Sequence, residues 1–594
     1  MKFDIQPRLS RLRAAMSAAG VDAVIIPQTD PHQSEYLADH WQVRRYFSNF
    51  TGSAGDLIVT SDCALLWTDS RYFLQAADQL KGSEIILMKD GLPDTPSQAQ
   101  WLCDNLRKGA TVGVDTKVIS AVAYEDLTHR LARKDIHVVN FDAADVWEER
   151  PELPGAPVFV HDIKYAGVGA KEKLQTALAK ASDDYDADAV FISALDEIAW
   201  LLNIRSRDVK YNPVATAFLF VDREKSTLFI NPAKLTDQTR DYLAREGVET
   251  APYSGVSDFI AALPVDKRVL IETGRNARYF FDVLGKRAVA GSSVVAIDKA
   301  CKNDIQIAGI HAAMERDGVA LVKSFMEIER RMAVDEPTTE LDVADILHHY
   351  RSEQPLYFDE SFGTIAGYGP HGAIVHYEAT AETSSVIKTG NLLLIDSGAQ
   401  YLDGTTDITR TISIGAPTGA QRRDFTLVMK GHIALAKAIF PEGTTGHQLD
   451  ALARMYLWKN GLNYLHGTGH GVGHFLGVHE GPQSIRLNHV PTPLKPGMVT
   501  SNEPGLYREN IHGIRCENLV LTVNAMTTEF GNFLRFETLT LCPFDLTLFD
   551  TSIMTDEEID WVNNYHTLVR SRLTPLLNSA ERTWLERKTQ PLTK

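Results

Sequence analysis

Two stretches in the first half of the chain share a pattern of apolar and polar positions. The first begins at Asp22 and reads DAVIIPQTDPHQSEYL, and the second begins at Asp188 and reads DAVFISALDEIAWLL. Each is an apolar run of strand length followed by a turn and a helical pattern, and a second strand-like segment follows in both copies. The repetition predicts two α/β domains of similar plan, although a shared pattern this short can also arise by chance.

The pattern changes at two further places. A proline-rich stretch at residues 149–159 predicts a domain boundary, and from residue 303 a long helical pattern runs up to Pro337. Thr339 and Asp342 have the spacing of a capping box, with Asp in place of the usual Glu. We therefore predict three domains, residues 1–154, 155–302 and 303–594. Most polar residues of catalytic type lie beyond residue 360, so we expect catalysis in the third domain.

Composition narrows the class of protein. The 594 residues are 44% hydrophobic and 23% charged, as in ordinary globular proteins, and the formal charge of -17 argues against binding to nucleic acid or to an anionic membrane. The N-terminal segment predicts an amphipathic helix rather than a signal peptide, and no apolar run reaches the ~18 residues of a membrane span. Five scattered cysteines without C-x-x-C spacing favour a reducing compartment, and we expect a cytoplasmic protein.

Two acids mark one predicted hairpin. Asp396 ends the apolar run NLLLID, and Asp407 follows eleven residues later. An Asp-Gly pair at 403–404 predicts a turn, so residues 391–399 and 405–414 can pair as a hairpin with its tip near Tyr401 and Leu402 and with these two acids facing each other. Facing like charges are destabilising unless something positive lies between them. Two solvated acids in a polar loop are the alternative.

Residues 497–523 repeat this arrangement as strand, turn and strand centred near Asn510. Glu503 and Glu517 are equidistant from that centre, and both lie in apolar strand sequence. A second hairpin would therefore present a second facing pair of acids. Four carboxylates near a core are unfavourable as bare anions, which makes a cationic partner the more attractive interpretation.

A third segment, residues 464–482, is rich in histidine and glycine. It contains His466, His470, His474 and His479. The interspersed glycines argue against a helix, which excludes the zincin motif with two histidines on one helical face, and the Walker Lys-Ser/Thr is missing. A single histidine is usually structural, but four within fourteen residues favour at least one metal ligand.

These segments together resemble the pita-bread metallopeptidases, and among them the long, three-domain aminopeptidase P family of M24B. The resemblance is carried by LLLIDSGAQYLDGTTDITR, HGTGHGVGHFLGVHEGP, SNEPGLY and GIRCENLV, and extends to WTDSRYFLQAADQ at residues 67–79 and SALDEIAWLLNIR at residues 193–205. It implies a mixed α/β (α+β) fold. Two creatinase-like N-terminal domains would precede a pita-bread catalytic domain with a C-terminal helical extension.

The resemblance implies a site for two divalent ions, usually manganese. The implied metal ligands are Asp396, Asp407, His470, Glu503 and Glu517. Asp396 would chelate one ion, Asp407 and Glu517 would bridge, and His470 with Glu503 would complete the other. Four carboxylates balance the charge of two divalent ions, and oxygen-dominated ligation suits Mn²⁺.

The implied reaction is attack of a bridging hydroxide on a peptide carbonyl. Glu503 would act as general acid and base, while His376, His466 and His479 would position the substrate and hydrogen-bond the tetrahedral intermediate. Arg515 resembles a residue that anchors the acids. His371 and His474 receive no role, and a structural reading stands for both.

Substrate contacts are also implied by the resemblance. The predicted substrate-binding residues are Arg71, His376, His479 and Phe362. Phe362 and Tyr368 can pack a proline ring, although aromatic residues there can equally belong to the core. Arg71 resembles a residue that reaches the active site, and Ser70 stands where the family commonly has Gly, which leaves the geometry of that loop open.

We therefore expect a metal-dependent aminopeptidase that cleaves the N-terminal Xaa-Pro bond of peptides, and a homodimer. A prolidase restricted to Xaa-Pro dipeptides is one alternative, although it normally lacks the middle domain. A pseudo-enzyme that only binds peptides or proteins is another, and it predicts lost ligands. The tail after residue 555 predicts amphipathic helices with Trp561 and Trp584, which either cap the last domain or contribute to a dimer interface.

Overall fold

The computed structural model describes residues 4–594. The chain divides into two compact units. Unit 1 runs to Ile163 and continues with Val168–Val295, and unit 2 comprises Lys164–Gly167 and Ala296–Lys594. The long helical segment predicted from residue 303 lies in unit 2.

Unit 1 contains two six-stranded mixed sheets. The strands of the first sheet are β1 Ala23–Ile26, β2 Asp56–Thr60, β3 Ala64–Thr68, β4 Ile85–Lys89, β5 Thr111–Val114 and β6 His137–Asn140. The later strands are β7 Phe159–Val160, β8 Ala189–Ile192, β9 Ile204–Arg205, β10 Ala217–Asp222, β11 Ser226–Ile230, β12 Val248–Ala251, β13 Val269–Glu272 and β14 Ala288–Gly291. The short strands β7 and β9 pair with each other outside the second six-stranded sheet.

The two sheets have the same plan. The order in the first is β4-β3-β2-β1-β5-β6, and in the second it is β12-β11-β10-β8-β13-β14. In each, the first strand of the repeat pairs antiparallel with the hairpin strand that follows and parallel with a later strand. The predicted repeat is therefore confirmed. Both first strands are buried throughout, which is why each reads as an uninterrupted apolar run.

Helices cover these sheets. They are α1 Gln6–Ala19, α2 Val43–Ser48, α3 Phe73–Gln79, α4 Gln98–Asn105, α5 Ala121–Ala132, α7 Ala170–Tyr185, α8 Leu195–Leu201, α9 Asp237–Arg245, α10 Val256–Ala261 and α11 Arg278–Leu284, while most of the short helix α6 Ile163–Ala166 belongs to unit 2. The predicted amphipathic helix at the N-terminus is α1, which buries Leu9, Leu12 and Met16. The helix expected directly after β1 is displaced, because α2 begins only at Val43.

Unit 2 carries the remaining elements. Its helices are α12 Ala296–Ala300, α13 Asp304–Ala333, α14 Glu340–Ser352, α15 Gly419–Ala436, α16 Gly446–Trp458, α17 Asp556–Leu573 and α18 Ser579–Lys588. Its strands are β15 Tyr357–Glu360, β16 Ile365–Tyr368, β17 Asn391–Ser397, β18 Ala399–Tyr401, β19 Gly404–Thr405, β20 Ile408–Ile414, β21 Ile439–Pro441, β22 Gly469–Gly471, β23 Glu480–Ile485, β24 Val499–Asn502, β25 Gly505–Arg508, β26 His512–Arg515, β27 Asn518–Thr528 and β28 Gly531–Thr538.

Four small or medium sheets organise this unit. Their orders are β15-β18-β19, β16-β17-β20, β21-β28-β27-β24-β22-β23 and β25-β26. Helices α13 and α14 pack against each other, as do α15 and α16. One large hydrophobic cluster joins the helices to the inner faces of β17, β20, β24 and β27. Strands β17, β20, β24 and β27 lead into or out of the predicted acid positions, so this core fixes their backbone.

Local signals at the helix ends agree with the sequence. Helix α14 begins after Thr339. The Thr339 side chain accepts from the Asp342 backbone N–H and the Asp342 side chain accepts from the Thr339 backbone N–H, so the predicted capping box is present. The C-terminal tail forms α17 and α18. Trp584 is buried in the core of unit 2 and donates a hydrogen bond to Glu329, while Trp561 stacks on Tyr565. The tail therefore caps its own unit.

No helix within residues 4–594 is long and apolar enough to cross a lipid bilayer.

Candidate metal centre

The first hairpin places two acids on one face, but not directly opposite each other. Asp396 on β17 pairs with Thr409 on β20, and Asp407 lies just before β20, two residues from Thr409. Asp396 and Asp407 are therefore diagonal neighbours, and the predicted facing register is wrong by two residues. The reason is the turn: Tyr401 pairs with Gly404, so the two turn residues are Leu402 and Asp403, and this turn sets the register back to β17.

The second hairpin has the predicted register. Asn502 on β24 pairs with Asn518 on β27, and the next positions along both strands are Glu503 and Glu517. The same register continues into β25 and β26, which close around Asn510 in the left-handed conformation with φ of 60°. The symmetry of the two glutamates about Asn510 thus reflects the pairing of the strands.

His470 on β22 brings the third segment to these acids. Its Nδ1 lies 2.9 Å from the carbonyl oxygen of Gly471, which can only accept, so Nδ1 carries a proton and Nε2 is the atom available to a metal. Nε2 lies 3.4 Å from Asp407 Oδ2 and 3.5 Å from Glu503 Oε1. Asp407, His470 and Glu517 each offer a ligand atom within 4.8 Å of the others. Asp396 lies near enough for its charge to act on Asp407 and Glu503, so the five predicted ligands converge from both hairpins and the histidine segment.

One arginine holds acids of both hairpins. Arg515 is buried, and its guanidinium donates to Asp396 Oδ2 at 2.6 Å and to Thr409 Oγ1 at 3.1 Å. The Thr409 hydroxyl in turn donates to Glu517 Oε2 at 2.7 Å. The anchoring role expected for Arg515 is therefore seen directly. Thr409 had no assigned role, because a threonine in a strand carries no chemical signal of its own.

The electrostatics of the site are unbalanced without cations. Burial, with the charge of Asp407 in addition, raises the pKa of Asp396 to about 6 even though Arg515 opposes the shift. Burial and neighbouring acids raise the pKa of Glu503 to about 7 and that of Glu517 well above its usual value. Burial opposes the charged form of His470, but Asp407 and Glu503 outweigh it and raise its pKa to about 9.

Among the four acids of this site, two buried carboxylate oxygens have no hydrogen-bond partner among residues 4–594. They are Asp396 Oδ1 and Glu517 Oε1, one from each hairpin. A buried carboxylate oxygen without a donor is strongly unfavourable unless a cation meets it. The donor set of four carboxylates and one neutral imidazole is typical of sites for hard or intermediate divalent ions. These residues therefore fit a pair of divalent cations.

The histidines with predicted substrate roles lie at different distances from this chemistry. His466 is half-buried, and its Nε2 lies 2.8 Å from the Tyr507 hydroxyl. The oxygen of that hydroxyl accepts a hydrogen bond from Arg515 at 2.8 Å. The ring of His479 meets that of His470 edge-on, with centroids 4.4 Å apart. Tyr507 thus links His466 to the acid cluster, a role that the sequence did not reveal although Tyr507 follows Glu503 by four residues.

His376 lies in a half-buried turn after the 3₁₀ helix Gly369–Ala373. This helix packs against β17 and β26, the strands of Asp396 and Arg515. Phe362 is half-buried in the loop before β16, three residues from Ile365, which pairs with Asp396. Both residues are thus on segments adjoining the acid-bearing strands.

Other candidates have structural surroundings. His371 Nδ1 lies 2.9 Å from the buried Glu340, and its ring stacks on Tyr377, which supports the structural reading. His474 is buried in the loop after β22. Tyr368 donates its hydroxyl to the carbonyl of Lys388 and packs on the core, which favours the core interpretation.

Arg71 lies in unit 1, just before α3. Its guanidinium makes two hydrogen bonds to Asp69, at 2.9 and 2.7 Å, and approaches Glu35 at 3.8 Å. These contacts within unit 1 fix the side chain, and its role toward a substrate stays a prediction.

Together the fold and the donor set define the class as a metallopeptidase, and comparisons with known proteins agree. Residues 308–524 match the model of metallopeptidase family M24, and residues 532–592 match the C-terminal region of peptidase M24. Residues 8–149 and 149–306 each match the creatinase/prolidase N-terminal domain.

Proteins of similar length show which family of M24 metallopeptidases the chain resembles. Aminopeptidase P2 of Arabidopsis thaliana is 41% identical, with 100% of this chain and 89% of that protein covered. A probable Xaa-Pro aminopeptidase P of Laccaria bicolor is 42% identical, covering 98% and 93%. The X-prolyl aminopeptidase of Caenorhabditis elegans, described as a cytosolic enzyme with a di-nuclear active site, superposes with a TM-score of 0.95 at 35% identity, covering 99% and 100%. The chain belongs to the three-domain aminopeptidase P family of M24 metallopeptidases. The predicted family and fold class are confirmed.

Proposed function

We propose that this chain is a metal-dependent aminopeptidase that removes the N-terminal residue from peptides with proline in second position. The observation that carries the proposal is the convergence of four carboxylates and one imidazole, with one partnerless buried oxygen on each hairpin. Membership of a family whose relatives are named Xaa-Pro aminopeptidases supplies the substrate class.

The five residues would divide two divalent cations between them. Asp396 would hold one, Asp407 and Glu517 would lie between the two, and His470 with Glu503 would hold the other. Mn²⁺ is our proposal for both, since oxygen ligands dominate and no thiolate takes part. Asp396 Oδ2 is engaged by Arg515, whereas Oδ1 has no other partner among the described residues.

The bound ions would supply a water of lowered pKa and polarise the scissile carbonyl. Glu503 would take the proton of that water and deliver it to the prolyl nitrogen as the bond breaks. Its Oε1 accepts from the Ser501 hydroxyl at 3.1 Å, which orients the carboxylate. His376, His466 and His479 would donate to the substrate backbone and to the oxygen that becomes negative.

Proline in second position demands a dedicated pocket. An Xaa-Pro amide has no N–H and a fixed φ, so a protease that binds extended backbone loses a donor and the usual geometry. We propose that Phe362 packs against the ring, and that Arg71 contributes from the N-terminal domain. Replacement of Phe362 by Ala would then raise KM for Xaa-Pro peptides with little change for the metal content.

Three broader expectations belong to the same proposal. They are a homodimer, a cytoplasmic location, and domain boundaries after residues 154 and 302. All five cysteines are free thiols, in agreement with a reducing compartment. Sedimentation of the purified chain tests the dimer, and limited proteolysis tests the boundaries.

Mass spectrometry of a peptide tests the function. The chain is incubated with Arg-Pro-Pro-Gly after removal of metal, then with Mn²⁺, then with Mn²⁺ and a chelator. We expect release of Arg with Mn²⁺ alone. A matched peptide, Arg-Ala-Pro-Gly, should not be cleaved, and equal cleavage of the two would reject proline specificity. Activity that survives chelation would reject the metal site.

The same assay separates the alternatives. The dipeptide Arg-Pro serves as the prolidase substrate, and faster cleavage of it than of the tetrapeptide would favour a prolidase. A pseudo-enzyme would cleave neither peptide with any metal. All five candidate ligand residue types are present, and Asp407, His470, Glu503 and Glu517 lie close together, which argues against loss of catalysis.

A further inference from the structure

A fully buried histidine lies behind the second acid hairpin. His432 is on α15, and its Nδ1 lies 3.1 Å from the carbonyl oxygen of Asn502 and 3.2 Å from that of Cys516. These two residues immediately precede Glu503 and Glu517. One ring atom therefore contacts the backbone next to both glutamates. In the sequence it is a lone histidine within a helix, and it carries no signal of a site.

The hydrogen-bond network fixes which ring nitrogen carries the proton. Arg410 can only donate, and its guanidinium lies 2.8 Å from Asn518 Oδ1. Asn518 Nδ2 therefore faces the other way and lies 3.3 Å from His432 Nε2, which must accept. The proton is then on Nδ1, where it is shared between the two carbonyl oxygens. The neutral ring is thus held in one tautomer and one orientation.

The contact of His432 lies at the end of the β24–β27 ladder, next to the candidate ligands Glu503 and Glu517. Asn502 and Asn518 form the last pair of the β24–β27 ladder, and the pairing resumes at Gly505 and Arg515. Glu503 N donates to Thr468 at 2.8 Å, and Glu517 N donates to Thr409 at 3.1 Å. The backbone at each glutamate is therefore pulled toward a different segment. At that point the Cys516 amide donates to the carbonyl of Pro504 at 3.3 Å, and the His432 contact is a second link between the two strands.

We propose that His432 is a positioning residue that sets the separation of Glu503 and Glu517 and thereby the affinity of the site for divalent cations. The inference rests on the proposed function for its choice of ion, but concerns binding rather than catalysis. His432 does not reach the reacting atoms. Its effect is transmitted through the carbonyls of Asn502 and Cys516 to the side chains that follow.

The test compares two histidines that share burial and differ in what they contact. His432→Phe keeps a ring next to Phe544 and Trp561 but removes the proton that the two carbonyls share. His566→Phe is the matched control, because His566 is also fully buried and accepts a single hydrogen bond, at 3.0 Å, from the Phe544 amide. Both full-length variants are stripped of metal and titrated with Mn²⁺ against a competing chelator.

We expect H432F to weaken Mn²⁺ binding about 10- to 100-fold, as replacement of residues that orient metal ligands commonly does. The control H566F should bind within about threefold of the original chain. His432→Gln retains an amide donor and an acceptor, and its Mn²⁺ affinity should lie between the two. Thermal melting of the metal-free proteins measures any general loss of stability, which both phenylalanine variants should share.

Equal Mn²⁺ affinity in H432F and the original chain would overturn the proposal, and so would equal weakening in H432F and H566F. If H432F does not fold, the Mn²⁺ affinity of His432→Gln tests the proposal instead. An affinity of this variant equal to that of H566F would contradict the proposal. The binding measurement uses no peptide. A chain that binds Mn²⁺ as expected and cleaves no Xaa-Pro peptide would refute the proposed function and leave the role of His432 intact.

Discussion

The two acid hairpins differ in how their charge is compensated. Asp396 on the first hairpin accepts a hydrogen bond from the Arg515 guanidinium, whereas Glu517 on the second accepts one from the neutral Thr409 hydroxyl. Burial raises the pKa of both acids, and the charge of Arg515 opposes that shift at Asp396. Asp396 is thus matched in part by a charge within the protein, whereas one buried oxygen of each acid, Asp396 Oδ1 and Glu517 Oε1, is left for a cation.

Replacing the acids should give the largest effects and should separate the hairpins. E517Q and D396N should each lower kcat/KM for an Xaa-Pro peptide on the order of 10³-fold. In metal-free protein their effects on stability should have opposite signs. E517Q removes a buried, crowded charge and should raise the melting temperature, whereas D396N leaves the buried Arg515 without its carboxylate and should lower it.

Differential scanning calorimetry of the chelated proteins measures this contrast, with shifts of roughly 2 to 6 °C expected in each direction. Adding Mn²⁺ should stabilise the original chain more than either variant. Shifts of the same sign in both variants would show that the two hairpins are compensated alike.

Replacing Arg515, the arginine that links the two hairpins, should have the next largest effect on activity. Arg515→Met should lower kcat/KM about 100-fold, because Asp396 loses its counter-charge and turns away from its ligand geometry. Arg515→Lys should recover little, since an ammonium cannot meet Asp396, Thr409 and Tyr507 from one planar group. Steady-state kinetics at saturating Mn²⁺ distinguishes a change in the ligand geometry of Asp396 from a loss of bound metal. Full activity in R515K would mean that only the charge matters.

Replacing Thr409, whose hydroxyl connects Arg515 to Glu517, should have a smaller effect on activity. Thr409→Val keeps the shape but removes the hydroxyl that accepts from Arg515 and donates to Glu517, and we expect about a 10-fold loss in kcat/KM. Thr409→Ser retains the hydroxyl and is the control, with activity near that of the original chain. If valine and serine behave alike, the hydroxyl does not connect the hairpins.

The turn of the second hairpin should give the smallest effect. Asn510 has a φ of 60°, which a β-branched residue adopts only with strain, so Asn510→Val should lower the free energy of unfolding by about 1–2 kcal/mol. Asn510→Gly should be nearly neutral. Chemical denaturation of both variants tests this. Activity should change little in either, because the core strands fix Glu503 and Glu517 independently of the tip.

Much of this site could be read from residues near one another in the chain. The apolar runs predicted strands, the Asp-Gly pair predicted a turn, and the equal spacing of Glu503 and Glu517 about Asn510 predicted their pairing, which the register bears out. The register of the first hairpin was wrong because the turn residues are Leu402 and Asp403, and a shift of one turn position moves every pair by two.

Contacts between distant segments could not be predicted in this way. Arg515 meets Asp396 across 119 residues, and His432 meets Asn502 across 70. Arginines and histidines occur throughout the chain, and nothing local distinguishes those that end beside a buried acid. Only the packing of strands and helices selects them.

The sequence by itself determined the repeated α/β plan, the two acid-bearing hairpins and the residue types of a divalent metal site, because hydrophobic period, turn residues and ligand chemistry are local properties. The tertiary structure decided which oxygens lack partners, which acid is matched by Arg515, and which two backbone carbonyls share the proton of a buried histidine. Burial and hydrogen-bond geometry depend on every segment that surrounds an atom, and those segments meet only in the folded chain.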